Sequence, residues 1–131
     1  MVNAASSLGI TGLGQIAINV HDLPRAVAFY RDVLGLPFLF AAGSMAFFDC
    51  GGVRLLLGTP DRPELNHPSS ILYFRVPEIQ PAYQYLLAKN AAIESAPRLI
   101  ARMPTCDLWM AAFHDSEDNL LELMSEAPRA A

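Results

Sequence analysis

The stretch His21–Phe38, HDLPRAVAFYRDVLGLPF, contains one complete helix with its start and stop signals. Asp22 stands where a side-chain oxygen accepts the backbone N–H groups of a first turn, and Pro24 falls inside that turn, where a missing N–H does no harm. Leu23, Ala26, Val27, Tyr30, Val33 and Leu34 then recur at the i, i+3, i+4, i+7 spacing of one buried face, while Arg25, Ala28, Arg31 and Asp32 fall mostly on the other side. Gly35 supplies a left-handed residue that ends the helix, and Pro37 prevents a restart.

The run before it, Gly14–Val20, alternates with the period of a strand: Ile16, Ile18 and Val20 face one way, Gln15, Ala17 and Asn19 the other. After the helix come three extended segments, LPFLFAA (36–42), MAFFDC (45–50) and VRLLLG (53–58), separated by the turns Gly43-Ser44 and Gly51-Gly52. The unit is therefore one strand, one helix and a three-stranded meander. Thr59–Ser69, with three prolines and no periodicity, reads as a surface linker.

Beyond the linker the plan repeats. Ile71–Val76 alternates, a helix follows with Ile79, Ala82, Tyr83 and Leu86 on one face, and Asn90 can end it in the left-handed conformation. Val20 corresponds to Val76, Asp22 to Glu78, Leu23 to Ile79, Ala26 to Ala82 and Tyr30 to Leu86, each pair 56 positions apart. Extended segments follow at Ala92–Ile100, Asp107–His114 and Asn119–Met124, with a loop at 101–106. Matching the closing strands sets Leu56 against Glu122, 66 positions apart, so the second unit is ten residues longer, somewhere after its helix. Neither βαβββ unit is large enough to bury its own sheet face, so the two must share a core. The expected fold is α+β: one domain over 1–131, with module one at 12–58, the linker at 59–69 and module two at 70–125. The helices lie outside, and the opposite sheet faces curve around a cleft.

The totals narrow the function. A chain that is 53% hydrophobic is not disordered, and the nine Lys and Arg are scattered in a chain of net charge −4. Nucleic acid and anionic membranes are therefore not expected as partners. No apolar run approaches the ~20 residues of a membrane span, and the start MVNAASSLGITG lacks the features of a leader. A cytoplasmic protein is expected. Cys50 and Cys106 sit in different segments with no C-x-x-C and are read as inert thiols. There is no nucleophile with a nearby base, no glycine-rich phosphate loop and no zinc signature.

Alternation also gives the cleft lining. Gln15, Ala17 and Asn19 face it from the first strand, Arg54 and Leu56 from the fourth, Ile71, Tyr73 and Arg75 from the fifth, and Glu122 from the last. Trp109, Ala111 and Phe113 are expected to line it as well. An apolar and aromatic cavity with a few polar groups is the composition of a small-molecule site. Glu122 can equally be one half of a structural ion pair with an arginine across the barrel. His21, His67 and His114 all stand at element ends and are poor ligand candidates, with His67, in the linker, able to reach the mouth of the cleft.

The sequences GQIAINVHDLPRAVAFYRDVLGLPF, MAFFDCGGVRLLL and FHDSEDNLLELM, in this order, resemble the vicinal oxygen chelate superfamily: glyoxalase I, methylmalonyl-CoA epimerase, extradiol dioxygenases and the bleomycin-resistance proteins. The resemblance covers residues 12–125 and implies paired βαβββ modules forming an open, cupped, mixed β-barrel. In metal-dependent members four side chains, usually His, Gln or Glu, hold a divalent ion. Carried onto this chain, those positions are Gln15, Leu56, Ile71 and Glu122. Gln15 and Glu122 keep the chemistry, whereas Leu56 and Ile71 have no lone pair to donate, so nickel, zinc, manganese or iron is disfavoured and no cofactor is expected. The closing turn also departs from the family's Asp-Pro-Asp-Gly-Asn: Asp118 replaces the glycine at a position that needs positive φ.

Two functions follow. The first is a protein that binds a small, largely apolar organic molecule without metal. The second is a lyase or isomerase acting next to a carbonyl, with Glu122 shuttling a proton and Arg54 or Arg75 supplying positive charge. Burial is expected to raise the pKa of Glu122 toward neutrality. The resemblance further implies a homodimer, and the linker is long enough for modules to pair within or between chains.

Overall fold

A computed structural model describes residues 8–129, so most of the opening segment lies outside the described residues. The elements are β1 (Gln15–Asn19), α1 (Leu23–Ala28), β2 (Phe38–Ala42), β3 (Met45–Cys50), β4 (Val53–Gly58), β5 (Leu72–Arg75), α2 (Ile79–Ala88), β6 (Ala92–Arg102), β7 (Cys106–His114) and β8 (Leu120–Pro128). They form two four-stranded mixed sheets, ordered β1-β4-β3-β2 and β5-β8-β7-β6. In each, the first and last strands of the module pair in parallel and the remaining pairs are antiparallel.

The register reproduces the repeat. Ile16 pairs with Leu55, and Leu72 with Leu121, the displacements of 56 and 66 that the sequence predicts. The extra length lies mainly in β6 and β7, of 11 and 9 residues against 5 and 6 for β2 and β3.

The first helix differs from expectation at its end. Asp22 Oδ1 accepts from Arg25 N at 3.1 Å, as a cap should. After Ala28, however, the chain widens into a π turn over Phe29–Val33, where Leu34 N donates to Phe29 O at 3.0 Å. Asn90 and Gly35 adopt the positive φ expected of helix terminators, 59° and 72°.

One apolar core underlies both helices. Ile18, Val20, Phe48, Leu55 and Leu57 from the first sheet join Phe113, Leu121 and Leu123 from the second, with Ala26, Tyr30, Ile79 and Leu86 from the helices. Each large side chain so buried contributes about 1.5–3 kcal/mol.

The modules are also joined by polar groups at one end. Tyr30 Oη, fully buried, donates to Asp115 Oδ2 at 2.8 Å. Burial, reinforced by the Asp115 carboxylate, pushes this phenol far above its ordinary pKa. Asp115 Oδ1 in turn accepts from Glu117 N and Asn119 N, both at 2.8 Å, and so shapes the turn between β7 and β8.

From that turn Glu117 reaches module one: Oε1 accepts from His21 N and Asp22 N at 2.8 and 2.9 Å, and Oε2 from Arg25 Nε at 2.7 Å. Burial alone would raise the Glu117 pKa. The Arg25 guanidinium and the two backbone N–H groups overcome that and hold it at about 2.

Among the described residues no helix is long and apolar enough to cross a membrane. Cys50 and Cys106 are free thiols.

Candidate functional site in the cup

With Ile18, Leu55, Phe113 and Leu123 under the helices, the alternate residues of each strand face the cup. Registers arrange them in rows. Across the first sheet run Gln15–Arg54–Asp49, then Ala17–Leu56–Phe47–Phe40, then Asn19–Gly58–Met45–Ala42. Across the second run Tyr73–Glu122–Ala112–Ser95 and Arg75–Met124–Met110–Arg98.

The first sheet presents an aromatic floor. Phe40 stacks on Phe47 with ring centroids 4.3 Å apart, and the Arg54 guanidinium lies 5.7 Å from the Phe47 ring. Arg54 Nε also donates to Gln15 Oε1 at 3.1 Å. Phe40 and Met45 of this sheet, and Ile71 and Tyr73 at β5 of the second module, are all exposed.

The second sheet presents a charged centre. Glu122, 7% exposed, accepts from Arg98 Nη2 at 3.0 Å, and Arg98 Nη1 donates to Ser95 Oγ at 2.7 Å. Arg98 and Glu122 stand on β6 and β8, on either side of β7, and the small Ala112 between them leaves the guanidinium room to cross. Glu122 is thus half of an ion pair, but its arginine, Arg98, stands in the same sheet and not across the barrel.

Three expectations need correction. Trp109 does not line the cup: it pairs with Ser125 and packs on the helix side, while Ala111 and Phe113 are core residues at 1% and 0% exposure. Both faces of β7 are apolar, so alternation carried no contrast there, and the cup residues are Met110 and Ala112. Asn19 lies on the expected face but serves the fold: its Nδ2 donates to Leu65 O and His67 O at 2.6 and 2.8 Å, fastening the linker. Arg98 was missed because β6 shifts register three times, and no period survives that. Gln15, Arg54, Leu56, Tyr73, Arg75 and Glu122 do stand on the predicted face. Ile71 lies just ahead of β5, with 43% of its surface exposed.

The donor set does not fit a divalent metal. Among the described residues no three His, Cys, Asp or Glu side chains gather. Gln15 and Glu122, the two donors left at the positions implied by resemblance, each already accept from a guanidinium. A metal would have to compete with a fixed positive charge at both places, with only apolar Leu56 and Ile71 completing the set.

The double βαβββ fold and its cup define a class. This chain belongs to the Glyoxalase/Bleomycin resistance protein/Dioxygenase superfamily, whose family model matches residues 12–123. It is 34% identical over 61 residues to the metallothiol transferase FosB of Staphylococcus haemolyticus, a match covering 47% of this chain and 41% of that protein. The chain thus spans about two fifths of that relative's length. A superfamily member from Sphaerobacter thermophilus superimposes with a TM-score of 0.75 at 20% identity, covering 91% of this chain and 100% of that one. The lactoylglutathione lyase of Agrobacterium tumefaciens gives 0.67 at 24%, covering 89% and 95%.

Proposed function

We propose that the cup binds a small, largely apolar organic molecule, without the divalent metal used elsewhere in the superfamily. Its apolar body rests on the Phe40–Phe47 floor and Leu56, and its polar atoms face Tyr73, Arg54 and the Arg98–Glu122 pair. One observation carries this reading: both remaining donors are held by arginines, Gln15 by Arg54 at 3.1 Å and Glu122 by Arg98 at 3.0 Å. The positive charge of the cup is supplied by guanidinium groups.

Elemental analysis after loading with nickel, zinc, manganese and iron and then dialysis should find far less than one equivalent of each. One tightly held equivalent of any of them would overturn the metal-free reading. For binding, 2-acetylnaphthalene serves as a neutral probe, and Leu56→Trp, which fills the floor of the cup, should abolish its uptake.

The Arg98 guanidinium beside Glu122 favours one alternative, an isomerase or lyase acting next to a carbonyl. Glu122 would take a proton from the carbon beside the carbonyl and return it, while Arg98 offsets charge on the oxygen. Solvent deuterium entering hydroxyacetone next to its carbonyl, and lost in Glu122→Gln, would support it; no exchange in the unaltered protein removes it. On either reading the working form is taken as a cytoplasmic homodimer, and a single monomeric species in sedimentation at micromolar concentration would contradict that.

A further inference from the structure

We propose that the seam between the modules, at the end opposite the Glu117 clamp, binds a small organic acid with an apolar body. The inference rests on an asymmetry between two equivalent places. The turn closing each module meets the end of the other module's first strand. At one end this contact is sealed: Glu117 takes the N–H groups of His21 and Asp22, and Asn119 Nδ2 donates to Asn19 O at 3.0 Å.

At the other end the same construction lacks its parts. Counted back from the closing strands at their displacement of 66, Gly51 stands where Glu117 stands, and it has no side chain to offer. The backbone it would have to grip is altered as well. Pro77 occupies the place of His21, 56 positions on, and has no N–H to donate.

The unsealed end is a cavity of about 530 Å³, within the size range of small-molecule sites. Its walls are apolar, from Leu34, Leu36 and Val53 of module one and Phe74, Val76 and Leu123 of module two. These belong to or pack against the shared core, except that Val53 opens β4. Arg75 lines the same cavity at the end of β5. It is exposed and makes no ion pair among the described residues; Glu126, which lines a neighbouring hollow with it, is not bonded to it. An apolar slot with one uncommitted guanidinium selects a carboxylate on an aromatic or aliphatic body. Only Tyr73 and Arg75 are common to this cavity and the predicted lining of the cup, so the two can be tested apart.

The probe is 1-naphthylacetate, and Cys50 reports its position, because this thiol lines the cavity while Cys106 is buried. Saturating probe should slow the alkylation of Cys50 by N-ethylmaleimide several-fold. Arg75→Gln should weaken 1-naphthylacetate binding roughly tenfold and leave binding of the neutral 1-naphthaleneethanol unchanged. Val53→Trp, which fills the slot, should abolish both. Should that variant fail to fold, Cys50 protection and Arg75→Gln still decide. Probe that binds without protecting Cys50, binding indifferent to Arg75→Gln, or no binding at all would overturn the seam site. Binding lost in Leu56→Trp with Cys50 unprotected would do the same while leaving the cup reading intact.

Discussion

Leu56 and Glu122 hold the same place in two copies of one unit, and the copies differ most where they face the cup. On the helix side the pairs stay apolar: Val20 and Val76, Ala26 and Ala82, Leu55 and Leu121, Leu57 and Leu123. A shared core leaves those positions little choice, since a polar group there would lose water without gaining a partner. On the cup side Ala17 corresponds to Tyr73, and Leu56 to Glu122, each polar or aromatic partner lying in the second copy. The neighbouring strand follows suit: Phe47 beside Leu56 supports the Phe40 ring, whereas Ala112 beside Glu122 leaves room for Arg98. One copy has become an aromatic floor and the other a charged centre, the contrast on which the proposed binding site rests.

The largest difference between the copies to break is at their turns. Glu117, held at a pKa of about 2 against 4.5 for a free glutamate, contributes stability that is complete above pH 4.5 and lost as pH falls toward 2. The shift corresponds to about 3 kcal/mol. Its side chain has no exposed surface, although Arg25 is 56% exposed, so the expected contribution is about 2–3 kcal/mol. Urea unfolding at pH 7, 4 and 3 should show that decline, and Glu117→Gln should be weaker at pH 7 and flatter below pH 4.5. An unchanged slope in the variant would remove Glu117 as the seal.

Next in size is the charged centre. Arg98→Met leaves the Glu122 carboxylate in a site 7% exposed without its partner, at an expected cost of about 2 kcal/mol, less than a fully buried pair because Arg98 is itself 41% exposed. Adding Glu122→Leu makes the second copy match the first and should recover most of that loss. A double variant as unstable as the single one would show that the pair does more than satisfy itself.

The sequence alone was sufficient for the duplication because two independent signals agreed: apolar periodicity set each element, and the displacements of 56 and 66 set the register that the sheets adopt. The cup face of β1, β4, β5 and β8 was legible for the same reason, each of these strands having one apolar and one mixed face. β7 was not, since Leu108, Trp109, Met110, Ala111, Ala112 and Phe113 are apolar on both faces and parity had nothing to distinguish. Antiparallel pairing of Phe113 with Leu121 would have corrected it once Glu122 was assigned to the cup. Arg98 lay beyond reach because each bulge in β6 resets which face its side chains take. The employment of Asn19 was hidden for another reason: its partners are backbone carbonyls of the linker, and no sequence pattern records where a loop's backbone will lie.

The smallest expected effect sharpens the comparison at a single residue. Counted back from the closing strands, Asp118 stands where Gly52 stands in the first copy, and both adopt positive φ, 64° and 93°. Asp tolerates that region better than most residues but carries a cost that glycine does not. Asp118→Gly relieves this strain and gives back part of the gain through a more flexible unfolded chain, for a net stabilisation of about 0.5 kcal/mol. The side chain it removes is 93% exposed and lies 3.2 Å from His114 Nδ1. The His114 pKa is raised, chiefly by its hydrogen bond to Glu94 and further by Asp118, so whatever Asp118 adds is present below pH 6.5 and fades as pH rises past the raised value. The gain from Asp118→Gly should therefore be larger at pH 9 than at pH 5, and thermal unfolding at the two pH values checks it. An equal gain at both would assign the whole effect to the backbone.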